Sequence, residues 1–463
     1  MSERAGHTDV VVIGGGPAGS TAASLLARKG YAVTVFEKER FPRDHVGESL
    51  LPFCYGLFQE LGVLEELERR FVRKPGVRFI DTDGRTSTTW CFARVIEGPS
   101  RLSFHVIRSE FDQLLLENAR RHGAEVREEH RVLGADLEAP GGGAAVKVAG
   151  PNGAERVVHA RFVVDASGRD TLLASRLRVK DPYPGLDRAA LSCHWSGSAR
   201  SAGIDEGLLQ IVYLGGDKQG WMWAIPVGPD RVSVGVVLDH AYVRACKRRL
   251  VAAGSADWER DLYLQEIASA PFVADLLAPA RMVMPVMFNG DYSYHVRVRC
   301  GPTFAMVGDA AAFIDPIFAT GVYLSMSSAR LVADAIDRRL TDGEAPGMAA
   351  LRDAFARIES AYGVVDRAIQ MFYNPVAINF AQVGTVASEI YRRTENALAV
   401  GHFLLAGDFF EQPERYDRFL QMLTDPYLLS VYRASVIGRP ELADTSCAND
   451  PLDAELLATG ARA

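Results

Sequence analysis

The stretch Asp9-Val10-Val11-Val12-Ile13-Gly14-Gly15-Gly16-Pro17-Ala18-Gly19-Ser20 constrains this chain more than any other. Its first five residues are rich in β-branched side chains and read as a buried parallel strand. The glycines at 14, 16 and 19 have GxGxxG spacing and lead into a helical run from Thr21 to Lys29. Gly14 permits a tight turn, Gly16 lets a phosphate approach the backbone, and Gly19 lets helix and strand pack closely, with unpaired N–H groups aimed at the anion. A second strand, Ala32 to Phe36, ends at Glu37, whose carboxylate is placed to accept both hydroxyls of a ribose. Strand, turn, helix, strand and terminal acid predict a dinucleotide site. The glycines alone would fit any tight turn of an α/β sheet.

At 463 residues the chain can hold several domains. A net charge of −7 with no basic stripe argues against nucleic acid or an anionic membrane as partner. The six cysteines (Cys54, Cys91, Cys193, Cys246, Cys300 and Cys447) show no CxxC and no metal-type spacing, so they read as reduced packing residues and no metal site is expected. The N-terminus lacks the basic and apolar regions of a signal peptide, and the apolar segment from Phe304 to Met326 is interrupted by Asp309 and Asp315. No integral membrane association is expected, and a cytoplasmic location is.

After Glu37 and Lys38, the polar loop Phe41 to Pro52 carries Arg43 and Ser49, both suited to donate to phosphate or ring atoms, before a helical stretch to about Arg70. Lys74 sits where that helix gives way to a strand, and from position alone reads as a solvated surface lysine. Residues 106–119 form an amphipathic helix with Ser109 as N-cap, and Arg108, just ahead of it, has the reach to contact a phosphate. Residues 124–164 alternate as a meander around a Pro140-Gly141-Gly142-Gly143 turn. Arg161 to Asp165 is a further buried strand, returning the chain to the nucleotide through Ala166-Ser167-Gly168.

From about 185 to 290 the pattern is that of an antiparallel sheet. At its centre, Trp221 and Trp223 share one face of the strand Gly220 to Pro226, which on its own reads as a pair of core aromatics. Phe304 to Ala311 is a strand with an acidic turn, where Asp309 is placed to accept from a ribitol or ribose hydroxyl. Phe313 to Val322 then opens a long helix, from about Tyr323 to Arg339, whose N–H groups near Thr320 and Gly321 form a second anion-ready start. Residues 349–463 read as mainly helical, with breaks near Pro375, Gly401 and Pro413 and a partly disordered tail after Pro440.

Over about residues 8 to 340, these features resemble the glutathione-reductase-type FAD fold of single-component aromatic hydroxylases, and within it most closely the flavin-dependent halogenases. Trp221-Met222-Trp223-Ala224-Ile225-Pro226 matches their WxWxIP signature, and Lys74 falls where the phenol and pyrrole halogenases have their catalytic lysine. Phe313 to Val322 resembles their FxxPxxSxG segment, with Ala319 in place of Ser. The turn Asp165-Ala166-Ser167-Gly168 departs from the GADG-type motif by which the hydroxylases help handle a nicotinamide cofactor.

The resemblance implies an α/β FAD-binding fold with an antiparallel β-sheet substrate domain and a mostly helical C-terminal region. The FAD domain would comprise residues 1–180, with 76–105 lent to the substrate sheet, and 296–345; residues 181–295 would form the sheet and 346–463 the helical region. Cofactor contacts are assigned to Gly14, Gly16, Ala18, Gly19, Glu37, Lys38, Arg43, Ser49, Arg108, Asp309, Pro316, Gly321 and Val322. Catalytic roles go to Lys74, Trp221, Trp223, Thr320 and Gly321, the last two holding chloride or bromide. The implied activity uses reduced FAD from a separate flavin reductase, oxygen and a halide to make hypohalous acid. Lys74 then directs it onto an electron-rich phenol or pyrrole, free or tethered to an acyl or peptidyl carrier protein, in secondary-metabolite biosynthesis. Phe372, Tyr373 and Phe380 are candidate lining residues of the substrate chamber. The alternatives are an aromatic-ring FAD monooxygenase, a reductase of isoprenoid double bonds on the same fold, and a non-catalytic flavoprotein partner.

Overall fold

The computed structural model describes residues 7–374, apart from 141, 200 and 202, together with 379–381, 397–425, 427, 430, 446 and 447. The expected break at Pro375 and the tail after Pro440, Cys447 and its neighbour excepted, lie outside the described residues. Val10, Val11 and Val12 are wholly buried in the strand His7–Ile13, the centre of a sheet ordered Cys300–Gly301, Phe304–Met306, Glu155–Asp165, His7–Ile13, Val33–Phe36, Glu125–Arg127. Pairing is parallel from Phe304–Met306 to Glu125–Arg127, and the register sets Ile13 level with Asp165 and Phe36, and Asp165 level with Met306. The turns that follow these strands therefore leave from one edge. That alignment gathers Gly14, Glu37, Ala166 and Gly308 around one crevice, where open α/β sheets take ligands.

The helix after the first strand runs Pro17–Arg28, so it begins four residues earlier than the sequence reading placed it. Proline at the first helical position needs no N–H partner and already has helical φ. The stretch toward Arg70 is two helices, Tyr55–Leu61 and Leu64–Arg70, divided at Gly62 with φ 70°. The amphipathic helix expected over 106–119 is Arg108–Arg121, capped by the backbone of Ile107; Arg108 opens it, and Ser109 lies within its first turn instead of capping it.

The second sheet is ordered Arg281–Met282, Arg188–Ser196, Arg231–Asp239, Gly220–Gly228, Leu209–Leu214, Gly76–Ile80, Ser87–Cys91. Its strand Gly220–Gly228 has two apolar faces: Trp221, Trp223 and Ile225 turn toward the main core, Met222 and Ala224 toward a separate one. Three helices cover that second face, His240–Ala252, Trp258–Ser269 and Pro271–Leu277, where the sequence suggested only strands and loops. Val72–Lys74 and Ser103–His105 pair as a separate two-stranded ribbon. Helices Gly321–Thr341 and Glu344–Tyr373 pack together, the former also against Pro17–Arg28.

Two of the six cysteines are not the reduced packing residues that their spacing suggests. Cys91 and Cys447, 356 residues apart, form a disulfide with Cα atoms 5.6 Å apart. Local spacing cannot reveal a pair that only the tertiary fold brings together. Cys54, Cys193, Cys246 and Cys300 are free thiols. Among the described residues no helix is long and apolar enough to cross a membrane.

Candidate functional site

A cavity of about 460 Å³ opens at the edge where the strand ends converge. Gly14, Gly16 and Ala18 line it, as do Glu37, Lys38, Arg43, Ser49, Arg108, Asp309, Pro316, Gly321, Val322, Trp221 and Trp223. Gly19 does not; a Cβ there would lie 1.9 Å from the Gly14 carbonyl oxygen, so its task is the close passage of helix over turn. Gly14, at φ +99°, is held by Ala166, whose carbonyl oxygen leaves 2.3 Å for a Cβ. Above Gly16 the space opens toward Arg43, and Gly16 offers the helix Pro17–Arg28 no side-chain cap. The first-turn N–H groups are thus left to a ligand.

Polar side chains around the turn divide into those already engaged and those unspent. Glu37 accepts from Gly15 N at 2.7 Å and Glu39 N at 2.8 Å, one bond to each oxygen, so it braces the turn as well as facing the cavity. Arg108 donates Nε and Nη2 to Asp112 at 2.8 and 2.9 Å and Nη1 to the Val46 carbonyl at 2.6 Å, and so holds the polar loop in place. Lys38 pairs with Asp170 at 2.5 Å. Ser49 Oγ, by contrast, is buried without a hydrogen-bond partner, while Arg43 forms ion pairs at 3.2 Å with Asp112 through Nη1 and with Glu39 through Nε. Asp309 has its carboxyl pushed up to about 6 by burial. An uncapped helix start, a bare glycine beneath an arginine and an orphaned hydroxyl fit the pyrophosphate and polar edge of FAD.

On the opposite wall, the Trp221 and Trp223 rings lie 5.7 Å apart. Trp223 donates to Ser233 Oγ at 3.2 Å and covers Gly235, where a Cβ would lie 2.1 Å from the indole. Trp221 Nε1 donates to Tyr373 Oη at 2.9 Å, and Tyr373 donates to Asp315 Oδ2 at 2.8 Å. Asp315 also accepts from Ile317 N and so fixes the turn Pro316–Phe318. This Trp–Tyr–Asp chain links the sheet, the end of a long helix and the turn before Gly321. The sequence reading missed Asp315, for which the available signal was a carboxylate set in an apolar run, since a buried acid needs partners. A second contact it missed is Glu48 with His194, 2.6 Å apart, joining the polar loop to the sheet.

At the halide candidates, Ala319 takes φ +55°, Thr320 is the N-cap, and its Oγ1 is buried and unpartnered. Gly321 begins the helix with open space where a Cβ would stand. Ala319 and Gly321 line the cavity; Thr320 does not. Phe372 and Phe380 lie in an aromatic cluster with Phe79, Tyr213 and Phe318, and neither they nor Tyr373 form the cavity wall.

Lys74 is wholly buried, not the solvated lysine its position suggested. Its Nζ donates to the Leu50 carbonyl at 3.0 Å and stands 5.3 Å from the Phe92 ring centroid, and burial lowers the ammonium to about 7. It is not on the wall of the cavity at the strand ends. The indole-bearing strand, however, packs against both strands of the ribbon that carries it.

Comparison with known proteins agrees with this geometry. Residues 7–351 match the family described as FAD binding domain. A flavin-dependent halogenase of Armillaria mellea, armH3, is 34% identical over 370 residues, covering 77% of this chain and 72% of its own. A 1H-pyrrole-2-carbonyl peptidyl-carrier-protein chlorinase of Pseudomonas fluorescens is 33% identical over 70% of this chain and 74% of its own. The solved myxobacterial chondrochloren halogenase CndH superposes with a TM-score of 0.73 at 30% identity, covering 95% of this chain and 99% of that one. The chain thus belongs to the flavin-dependent halogenases, enzymes that bind FAD and use a halide as co-substrate.

Proposed function

We propose that this halogenase acts on an electron-rich phenol or pyrrole, free or carrier-tethered, with Lys74 presenting the oxidised halogen. The observation that carries this reading is Lys74 itself: an amine sealed from solvent, hydrogen-bonded to a carbonyl, behind the indole strand. A lysine is buried at such expense chiefly where its chemistry is used. The relative that chlorinates a pyrrolyl group on a carrier protein supports the acceptor class.

Bound FAD supplies oxygen activation, from which halide yields hypohalous acid. The helix start at Thr320 and Gly321 holds the halide by N–H groups, which are positive without being nucleophilic. Trp221 and Trp223 exclude the organic acceptor from the cavity, so that oxygen is not inserted directly. Lys74 hydrogen-bonds the small oxidant on the far side and makes the halogen more electrophilic. The turn Asp165-Ala166-Ser167-Gly168, which departs from the hydroxylases' nicotinamide-handling motif, supports delivery of reduced flavin by a separate reductase.

The test combines the chain with a flavin reductase, NADH, FAD, chloride or bromide, and phenols and pyrroles both free and carrier-bound. Halide-dependent mass shifts are expected. Lys74→Met should lower halogenation by at least about 100-fold while oxygen consumption continues. Undiminished halogenation by Lys74→Met removes the lysine from the chemistry, and halide-independent addition of oxygen identifies a hydroxylase.

A further inference from the structure

The ribbon that bears Lys74 carries more than one unspent polar group. In its antiparallel register Lys74 faces Ser103 and Val72 faces His105, and residues two apart on a strand share a face. Lys74, Ser103 and His105 therefore project to the same side, and directly opposite or diagonal residues lie within side-chain reach. All three are buried, His105 and Lys74 completely. Ser103 Oγ has no hydrogen-bond partner. His105 has one, the Gly207 carbonyl, 2.9 Å from Nε2.

That single bond fixes the tautomer. A carbonyl oxygen only accepts, so Nε2 must carry the proton, and Nδ1 is left as a bare lone pair. Nδ1 is itself buried and unpartnered. Burial, reinforced by the Lys74 charge, holds the ring well below the usual imidazole range, so it stays neutral at working pH. A buried acceptor with no donor is uncommon in a folded protein and calls for an explanation; here it stands on the same face as the amine assigned to the halogen.

Resting on the reading of Lys74 given above, we propose that His105 is the general base of the halogenation step, its Nδ1 accepting the O–H or N–H proton of the bound phenol or pyrrole. The ring's electron pair attacks the halogen and forms the carbon–halogen bond, which makes the O–H or N–H strongly acidic, so that its proton passes to Nδ1 although the buried imidazole is a weak base. The halogen–oxygen bond of hypohalous acid breaks, and its oxygen leaves as hydroxide under the Lys74 ammonium. The proton on Nδ1 neutralises the hydroxide to water. The ring proton lost on restoring aromaticity takes the place of the O–H or N–H proton, so substrate and hypohalous acid give halogenated product and water. Ser103 Oγ hydrogen-bonds the acceptor's heteroatom and positions it.

The experiment compares His105→Gln with wild type. The glutamine amide nitrogen reproduces Nε2 and its bond to Gly207, while nothing replaces Nδ1. Halogenation of phenols of graded acidity is followed beside oxygen consumption. For phenols protonated at the assay pH, a loss of about 100-fold or more is expected, with oxygen consumption unchanged. The ratio of wild type to variant should fall toward one for phenols already ionised, which need no base. A packing role alone would give a ratio independent of phenol acidity, and that result, or full activity of His105→Gln, overturns the proposal. Lys74→Met is run in parallel: if it retains halogenation, the lysine reading fails and this one with it. If it is inactive while His105→Gln is fully active, only the present inference fails.

Discussion

A single glycine decides where one of the two indoles can lie. Trp223 rests on the bare backbone of Gly235, and the 2.1 Å left for a Cβ is far inside van der Waals contact. Gly235→Ala should push the ring into the cavity and lower halogenation by about 10-fold or more, with a smaller loss of stability; product formation and thermal unfolding check both. Lys74 yields a prediction of different sign. Its folded-state value is lowered from 10.5 to about 7 by burial, so between those limits the unfolded chain binds the extra proton. With respect to this group, stability therefore rises with pH from about 7, by up to about 1.4 kcal/mol per unit. Its titratable neighbours Cys54 and His105 stay neutral there, the thiol pushed up to about 12 and the imidazole held low. Lys74→Met should be more stable than wild type at pH 7, with the gap closing toward pH 10, as denaturant unfolding across that range will measure.

Between elements, the Trp221–Tyr373–Asp315 chain is the join on which the site's alignment depends. Tyr373→Phe removes both hydrogen bonds and leaves a buried carboxyl, already raised to about 6, with one fewer donor. A loss of about 1–3 kcal/mol in stability is expected, and, on the proposal that the helix start at Gly321 holds the halide, a rise in the halide KM as the turn before it loosens. Unfolding curves and halide titrations test the pair. These joins also mark the limit of what a sequence shows. The strand Asp9 to Ile13 and its glycines are legible because periodicity and spacing are local. Trp221 and Trp223 sharing a face follows from the two-residue repeat of a strand. The bond from Trp221 to Tyr373 spans 152 residues, and no local pattern encodes it. Likewise no clear local signal marks the first helix behind the second sheet, because His240–Ala252 follows a strand without a break and its apolar stripe of Val243, Cys246 and Leu250 is short.

Taken whole, the molecule gathers one ligand site from four turns of the chain at a single sheet edge, then closes its sheet and its distant C-terminal segment covalently. Cys91 ends the strand that pairs with Gly76–Ile80, two residues beyond Lys74, and Cys447 reaches it while its N–H donates to Asp205 at 2.8 Å. Cys447→Ser, or thiol reductant on the wild type, should lower stability by about 2–4 kcal/mol, with the reductant giving no further loss in the variant. Thermal unfolding with and without reductant decides. The same bond dictates an order of events during biosynthesis. Because 356 residues separate the two sulfurs, Cys91 is synthesised long before its partner, and this bond cannot form until Cys447 has been translated. Closure is a late maturation step, and the redox conditions met by the finished polypeptide, more than those around the nascent one, set how much of it is sealed.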